Sequence, residues 1–223
     1  MSLQALINKV DNFEIIRDQI ASILVGEISN QKALAIAATL DPKDWDLRIY
    51  KERSNAWEQW LTVTDDTITT PIVNVAFDIS NVDAAATTQH HKQKFEGIFN
   101  IDCFGLGISS DDPLGGHMTG DQSAVLEVHR AARLVRNIIR AGENTYLQMR
   151  GIVGGREIQS ITSFRPETID GPVEKIAAAR LQLKVAFNEF TDQYVGELLE
   201  MISIDVFAKE DGELLLELEY QYP

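Results

Sequence analysis

Residues 71–79 read Pro-Ile-Val-Asn-Val-Ala-Phe-Asp-Ile, and residues 95–107 read Phe-Glu-Gly-Ile-Phe-Asn-Ile-Asp-Cys-Phe-Gly-Leu-Gly. In the first stretch Ile72, Asn74, Ala76 and Asp78 alternate with Val73, Val75, Phe77 and Ile79. A two-residue period of this kind predicts a strand with one buried face. In the second stretch Phe95, Phe99, Ile101 and Cys103 fall on one side of a second strand. The polar run 80–94 between them predicts an antiparallel pair joined by a long hairpin loop.

Working outward, the period changes. Phe13, Ile16, Ile20, Ile23 and Leu24 recur at three- and four-residue steps, which predicts an amphipathic helix over about 12–27. A second, Ala-rich helical run covers 30–40 and stops at Asp41-Pro42, and Gly26 lets the two runs join or bend. Residues 45–60 mix acidic, basic and aromatic side chains and fit either a short helix or an extended excursion. Residues 109–120 contain Asp-Asp-Pro and Gly-Gly and read as a loop. A helix over 121–141 follows, with Asp121 or Ser123 as N-cap and Gly142 just past its end. Its expected core face is Val125, Val128, Ala132, Val135 and Ile139. Residues 151–155 form a loop and 158–164 a strand that stops before Pro166. Leu181, Leu183, Val185 and Phe187 alternate with Gln182, Lys184, Ala186 and Asn188, which predicts a strand over 178–190. Two last apolar runs around Glu210-Asp211-Gly212 predict a C-terminal β-hairpin. The result is an α+β fold with a mostly antiparallel sheet flanked by helices and an extra C-terminal β-hairpin. We expect a single domain over 1–223, its core at about 11–40 and 71–191. The insertion is at about 41–70 and the hairpin extension at about 200–221.

Composition narrows the function. With 44% hydrophobic and 24% charged residues, the chain of 223 has the material for a packed core and is not disordered throughout. Twenty basic against 34 acidic residues give a net charge of −14, which disfavours general nucleic-acid binding and docking on an anionic membrane. One cysteine excludes an intrachain disulfide and a multi-cysteine zinc site. The first ten residues carry no secretory pattern, and no apolar run is long enough for a membrane helix, so a reducing cytoplasm is expected.

No catalytic motif stands out, and no enzyme activity, metal or cofactor is expected. His90, His91, Cys103 and His117 have no metal-ligand spacing and are read as surface histidines and a buried thiol. The pairs Asp65-Asp66 and Asp111-Asp112 lie in polar loops, where both carboxylates stay solvated and lack the split environments of an acid–base pair. Asp102 lies off the inner face of its strand. It could serve a metal or substrate, but facing solvent or a neighbouring subunit is simpler. Gly105-Leu-Gly and Gly151-Ile-Val-Gly-Gly match neither a dinucleotide fingerprint nor a P-loop.

Arg130, Arg133, Arg136 and Arg140 are the most suggestive set. Steps of three, three and four place much of the row on one flank of the 121–141 helix. It is either a solvated face with Glu127 as local partner or a docking surface for the acidic surface of another copy. Contact with nucleic-acid phosphates ranks lower. Residues 121–165 hold seven basic and four acidic side chains, whereas residues 166–223 hold four basic and thirteen acidic. Unlike patches on one chain allow head-to-tail association.

The order of these elements resembles that of the tail-terminator proteins of long-tailed bacteriophages. The likeness is carried by the helix around Phe13 to Leu24, the strands at 71–79 and 95–104, the helix at 121–141, and the strands at 158–164 and 181–190. It covers somewhat over half of the chain and is one of pattern. Segments 41–70 and 202–220 are additions to the simplest members. The resemblance implies a non-enzymatic virion protein, assembled in host cytoplasm as a ring, typically a hexamer. Such a ring caps the tail tube and joins it to the head or neck. It implies as partners other copies, the tube protein and head–tail connector or neck proteins, with DNA passing through the lumen without sticking and no membrane. An acidic lumen suits that passage, and the hairpin is long enough to reach a neighbour and extend its sheet. The alternatives are another neck, connector or tail-baseplate component, or, in a different class, a small-ligand-binding or metabolic α+β enzyme.

Overall fold

A computed structural model of the chain describes residues 10–58, 60, 70–83, 92–112, 116–168, 171–172, 175–190, 201–207 and 214–221. Two compact units are present, Met1–Phe190 and Thr191–Pro223. The first is an α+β unit. Its five-stranded sheet contains β1 (Arg48–Lys51), β2 (Ile72–Val82), β3 (Lys92–Leu106), β6 (Val153–Phe164) and β9 (Ile176–Phe190), in the order β1-β2-β3-β9-β6. The β1–β2 pair is parallel and the others are antiparallel.

The two expected N-terminal helical runs form one continuous helix, α1 (Asn12–Ala37). At its start the Glu14 carboxylate accepts from the Asp11 N–H at 3.1 Å. Gly26 is exposed mid-helix and introduces no break. The second helix, α2 (Gly120–Arg140), begins one residue earlier than the sequence suggests, with Thr119 in the N-cap position instead of Asp121 or Ser123. Its buried face is Ala124, Val128, Ala131, Ala132, Val135, Ile138 and Ile139, while Val125 is 40% exposed. Two glycines let the first turn of α2 approach the sheet closely. A Cβ on Gly105 would stand 2.7 Å from the Ala124 carbonyl oxygen, and one on Gly107 would collide with the Gly120 carbonyl. The first turn of α2 therefore lies directly on the end of β3. Gly105-Leu-Gly is a helix-packing device.

The core lies between these helices and one sheet face. It includes Ile16, Ile20 and Leu24 of α1, Val128 and Val135 of α2, and Val73, Phe99, Leu181 and Phe187 of the sheet. The alternation expected for 178–190 holds, with Leu181, Leu183, Val185 and Phe187 all buried. On β2 the pattern differs at the start. Ile72 to Val75 are all buried, so both faces are covered there. The cover on the second face comes from the insertion: Ala56, Trp57 and Trp60 pack with Ile72, Phe104, Ile176 and Ala178.

Residues 41–58 combine both forms left open by the sequence. Pro42–Trp45 and Ala56–Glu58 are one-turn 3-10 helices, and β1 between them runs along β2. The buried Asn74 amide clamps the following turn, accepting from the Arg53 N–H at 3.0 Å and donating to the Arg53 carbonyl at 2.9 Å.

The β2–β3 pairing extends further than expected, to Val82 opposite Phe95, past a bulge between Phe77 and Ile79. His90 and His91 lie outside the described residues, as do Asp65 and Asp66. The stretch expected as a loop over 109–120 contains a small hairpin, β4 (Ser110–Asp112) with β5 (Gly116–Met118). A two-residue pair, β7 (Glu167–Thr168) with β8 (Gly171–Pro172), follows β6. In the second unit, β10 (Met201–Phe207) and β11 (Leu214–Gln221) form the expected C-terminal antiparallel hairpin.

Candidate assembly interface

The sheet ends at β6, and no described strand pairs with its outer edge. Above this edge runs the flank of α2 that carries the arginine row. The four arginines separate into two kinds. Arg130 is engaged within the chain: its guanidinium bonds the Glu127 carboxylate at 2.6 Å and 3.1 Å and donates to the Asp44 carbonyl. It ties α2 to the 42–45 turn. Arg133, Arg136 and Arg140 are exposed.

Arg136 and Arg140 converge with Arg156, a residue that no motif or spacing singles out. Together with Ile158 and Ile161 of β6 they line an open groove of about 520 Å³. Arg156 closes the end of α2, donating from Nε to the Asn144 carbonyl at 2.6 Å and from a terminal nitrogen to the Ala141 carbonyl at 2.8 Å. Burial, and then the charge of Arg140, pull the Arg156 guanidinium below its ordinary value. None of Arg136, Arg140 and Arg156 has an ion-pair partner among the described residues. The groove thus gathers three guanidinium groups around one carboxylate, Glu157, over a lining that mixes Ile158 and Ile161 with Gln159 and Ser160. A second hollow of about 230 Å³ lies further along the same seam, between Val125, Val128 and His129 of α2 and Ser163 and Phe164 of β6.

Other residues singled out from the sequence lie elsewhere. Asp102 does lie off the inner sheet face, as expected, but it does not face solvent. Its side chain is 10% exposed and takes a two-pronged bond from Arg180, Nε at 2.7 Å and a terminal nitrogen at 2.8 Å. The Arg180 guanidinium also lies over the Phe164 ring, 5.6 Å from its centroid. Asp102 is therefore a structural ion-pair partner. Cys103 is fully buried in the core, and burial, then the Asp102 charge, push its thiol pKa up. His117 meets Asp111 at 2.7 Å, an exposed contact across β4–β5. Among the described residues no three His, Cys, Asp or Glu side chains are grouped to hold a metal ion. No helix of the described residues is long and apolar enough to cross a membrane.

Sequence reasoning located the α2 arginines from their spacing alone. It missed Arg156 and the β6 edge, because that combination depends on which strand ends the sheet. No family profile matches the chain, and no curated protein matches it in sequence.

Proposed function

We propose that the protein is a non-enzymatic virion assembly protein of the tail-terminator type. In this reading it forms a ring, a hexamer as in the family it resembles, that caps a phage tail tube and joins it to the head or neck. The observation that carries this reading is the Arg136, Arg140 and Arg156 cluster, three cations to the one carboxylate of Glu157, on a chain whose last 58 residues carry thirteen acidic and four basic side chains. Two unlike patches on one chain make a head-to-tail contact, and head-to-tail contacts that close generate rings. The net charge of −14 fits a channel through which DNA slides, since phosphates find few cations to neutralise them. The same pair of patches serves equally for another neck, connector or baseplate ring, which differs only in the surface it caps.

The test is mass by light scattering across a concentration series, alone and with purified tail tubes, with negative-stain imaging of the largest species. We expect rings with a central hole wide enough for duplex DNA, and arrest of tube growth when they are added. A species that stays monomeric in both settings and binds a metabolite would favour the ligand-binding alternative and overturn the proposal.

A further inference from the structure

We propose that residues 160–164 of β6 accept, by main-chain pairing, the β10–β11 hairpin of a second copy of this chain. The inference rests on the ring reading above and names the contact that would build the ring.

The first observation is an edge without the usual defences. Sheet edges are normally protected from pairing by bulges, charges, prolines or short length. β6 has two irregularities, between Val153 and Gly155 and between Ile158 and Ser160. Both lie before Ser160. From there Ser160, Ile161, Thr162, Ser163 and Phe164 run in regular register against Gln182 to Ala178, with neither charge nor proline. Ile161 is 48% and Phe164 36% exposed. Over these five uncharged residues, alternate backbone N–H and C=O groups point away from β9, toward the free edge.

The second observation is what surrounds that run. Arg136, Arg140 and Arg156 lie at one end of the seam beside a single carboxylate, Glu157, and Arg165 lies at the other. An incoming strand with a carboxylate-rich composition meets complementary charge at both ends.

The third is the hairpin itself. A two-stranded ribbon alone is marginally stable in water and needs a further strand or a packed face. The register sets Ile202, Ile204 and Val206 opposite Tyr220, Leu218 and Leu216. Ser203 and Asp205 stand opposite Glu219 and Glu217. The ribbon therefore alternates apolar and acidic positions. Among the described strands β10 and β11 pair only with each other, and their acidic residues are opposite in sign to the three arginines of the β6 groove. A ring needs one donor and one acceptor on each copy, and this pair supplies both.

The experiment uses the full chain. Amide hydrogen exchange is followed over 153–164 across the same concentration series as the mass. Two charge-reversed proteins are prepared, Arg136→Glu/Arg140→Glu and Glu217→Lys/Glu219→Lys. We expect the amides within 160–164 that point away from β9 to slow as mass rises. Each variant alone should need about tenfold or more higher concentration per reversed pair to assemble, and mixing the two should restore assembly. Restoration requires both variants to be folded, and the exchange readout on the unaltered protein is independent of either.

Rings that form while residues 160–164 still exchange freely would overturn this inference and leave the ring reading standing. A protein monomeric at every concentration, alone and with tail tubes, with the same free exchange would overturn both. A monomer with these amides protected would mean that the edge is already paired within one chain, which also overturns docking between copies. Variants that assemble like the parent, or a mixture of folded variants that restores nothing, would count against it equally.

Discussion

Asp102 and Arg180 carry unequal shares of one ion pair. The carboxylate is 10% exposed, whereas the guanidinium is 42% exposed. Removing the arginine strands a buried charge, while removing the aspartate leaves a cation that water still reaches. We expect Arg180→Ala to cost about 3 kcal/mol and Asp102→Ala nearer about 1 kcal/mol, read as shifts in urea unfolding. Equal losses would refute the asymmetry. The alternation around Ile101 and Cys103 was enough to place Asp102 off the inner face. Its partner was not legible, because Arg180 lies 78 positions away. Only the β3–β9 register brings the two together, and a single sequence carries no record of register between distant strands. Cys103 was legible for the opposite reason: its burial follows from its own strand's period.

At the scale of elements, two glycines with similar sequence surroundings have opposite duties. Gly107 allows the first turn of α2 to rest on the sheet, and a methyl there meets the Gly120 carbonyl. Gly26 sits exposed inside α1 with nothing within 4 Å of where its side chain would stand. We expect Gly107→Ala to destabilise by about 2 kcal/mol or more, through forced displacement of packed backbone. Gly26→Ala should stabilise by about 0.5–1 kcal/mol, because alanine loses less entropy in a helix. Thermal and urea unfolding of the two variants would distinguish these signs. Both helices and the long strands β2, β3, β6 and β9 were legible from period, but the short strands β1, β4 and β5 were not, and the α2 core face was misplaced at Val125. The close approach of α2 to the end of β3, which Gly105 and Gly107 permit, is visible only when the two elements are packed together. The two bulges of β6 were hidden for a similar reason, since a bulge is defined by the partner strand.

For the whole molecule, charge acts at two ranges with opposite signs. A net charge of −14 repels copies at a distance, while the Arg136–Arg140–Arg156 strip attracts carboxylates at contact. Salt screens the long-range term first, with a Debye length of about 10 Å at 0.1 M. Assembly should therefore strengthen as salt is first added and weaken at higher salt. A monotonic decline in light scattering would show that contact pairs alone control association. The charge imbalance was legible in the sequence, but the place where the basic patch lies beside a free edge was not. The opposite side of the sheet gives this arrangement a further meaning. There β1 is only four residues long, and the chain turns away at Glu52, whose φ is +51°. The Asn74 clamp then fastens the turn to β2. On the contact proposed above, with β6 as socket and the hairpin as plug, each copy has a valence of two. Units of valence two concatenate but cannot branch. Their products are closed circles or linear threads, never a gel, and the curvature of a single joint decides between them.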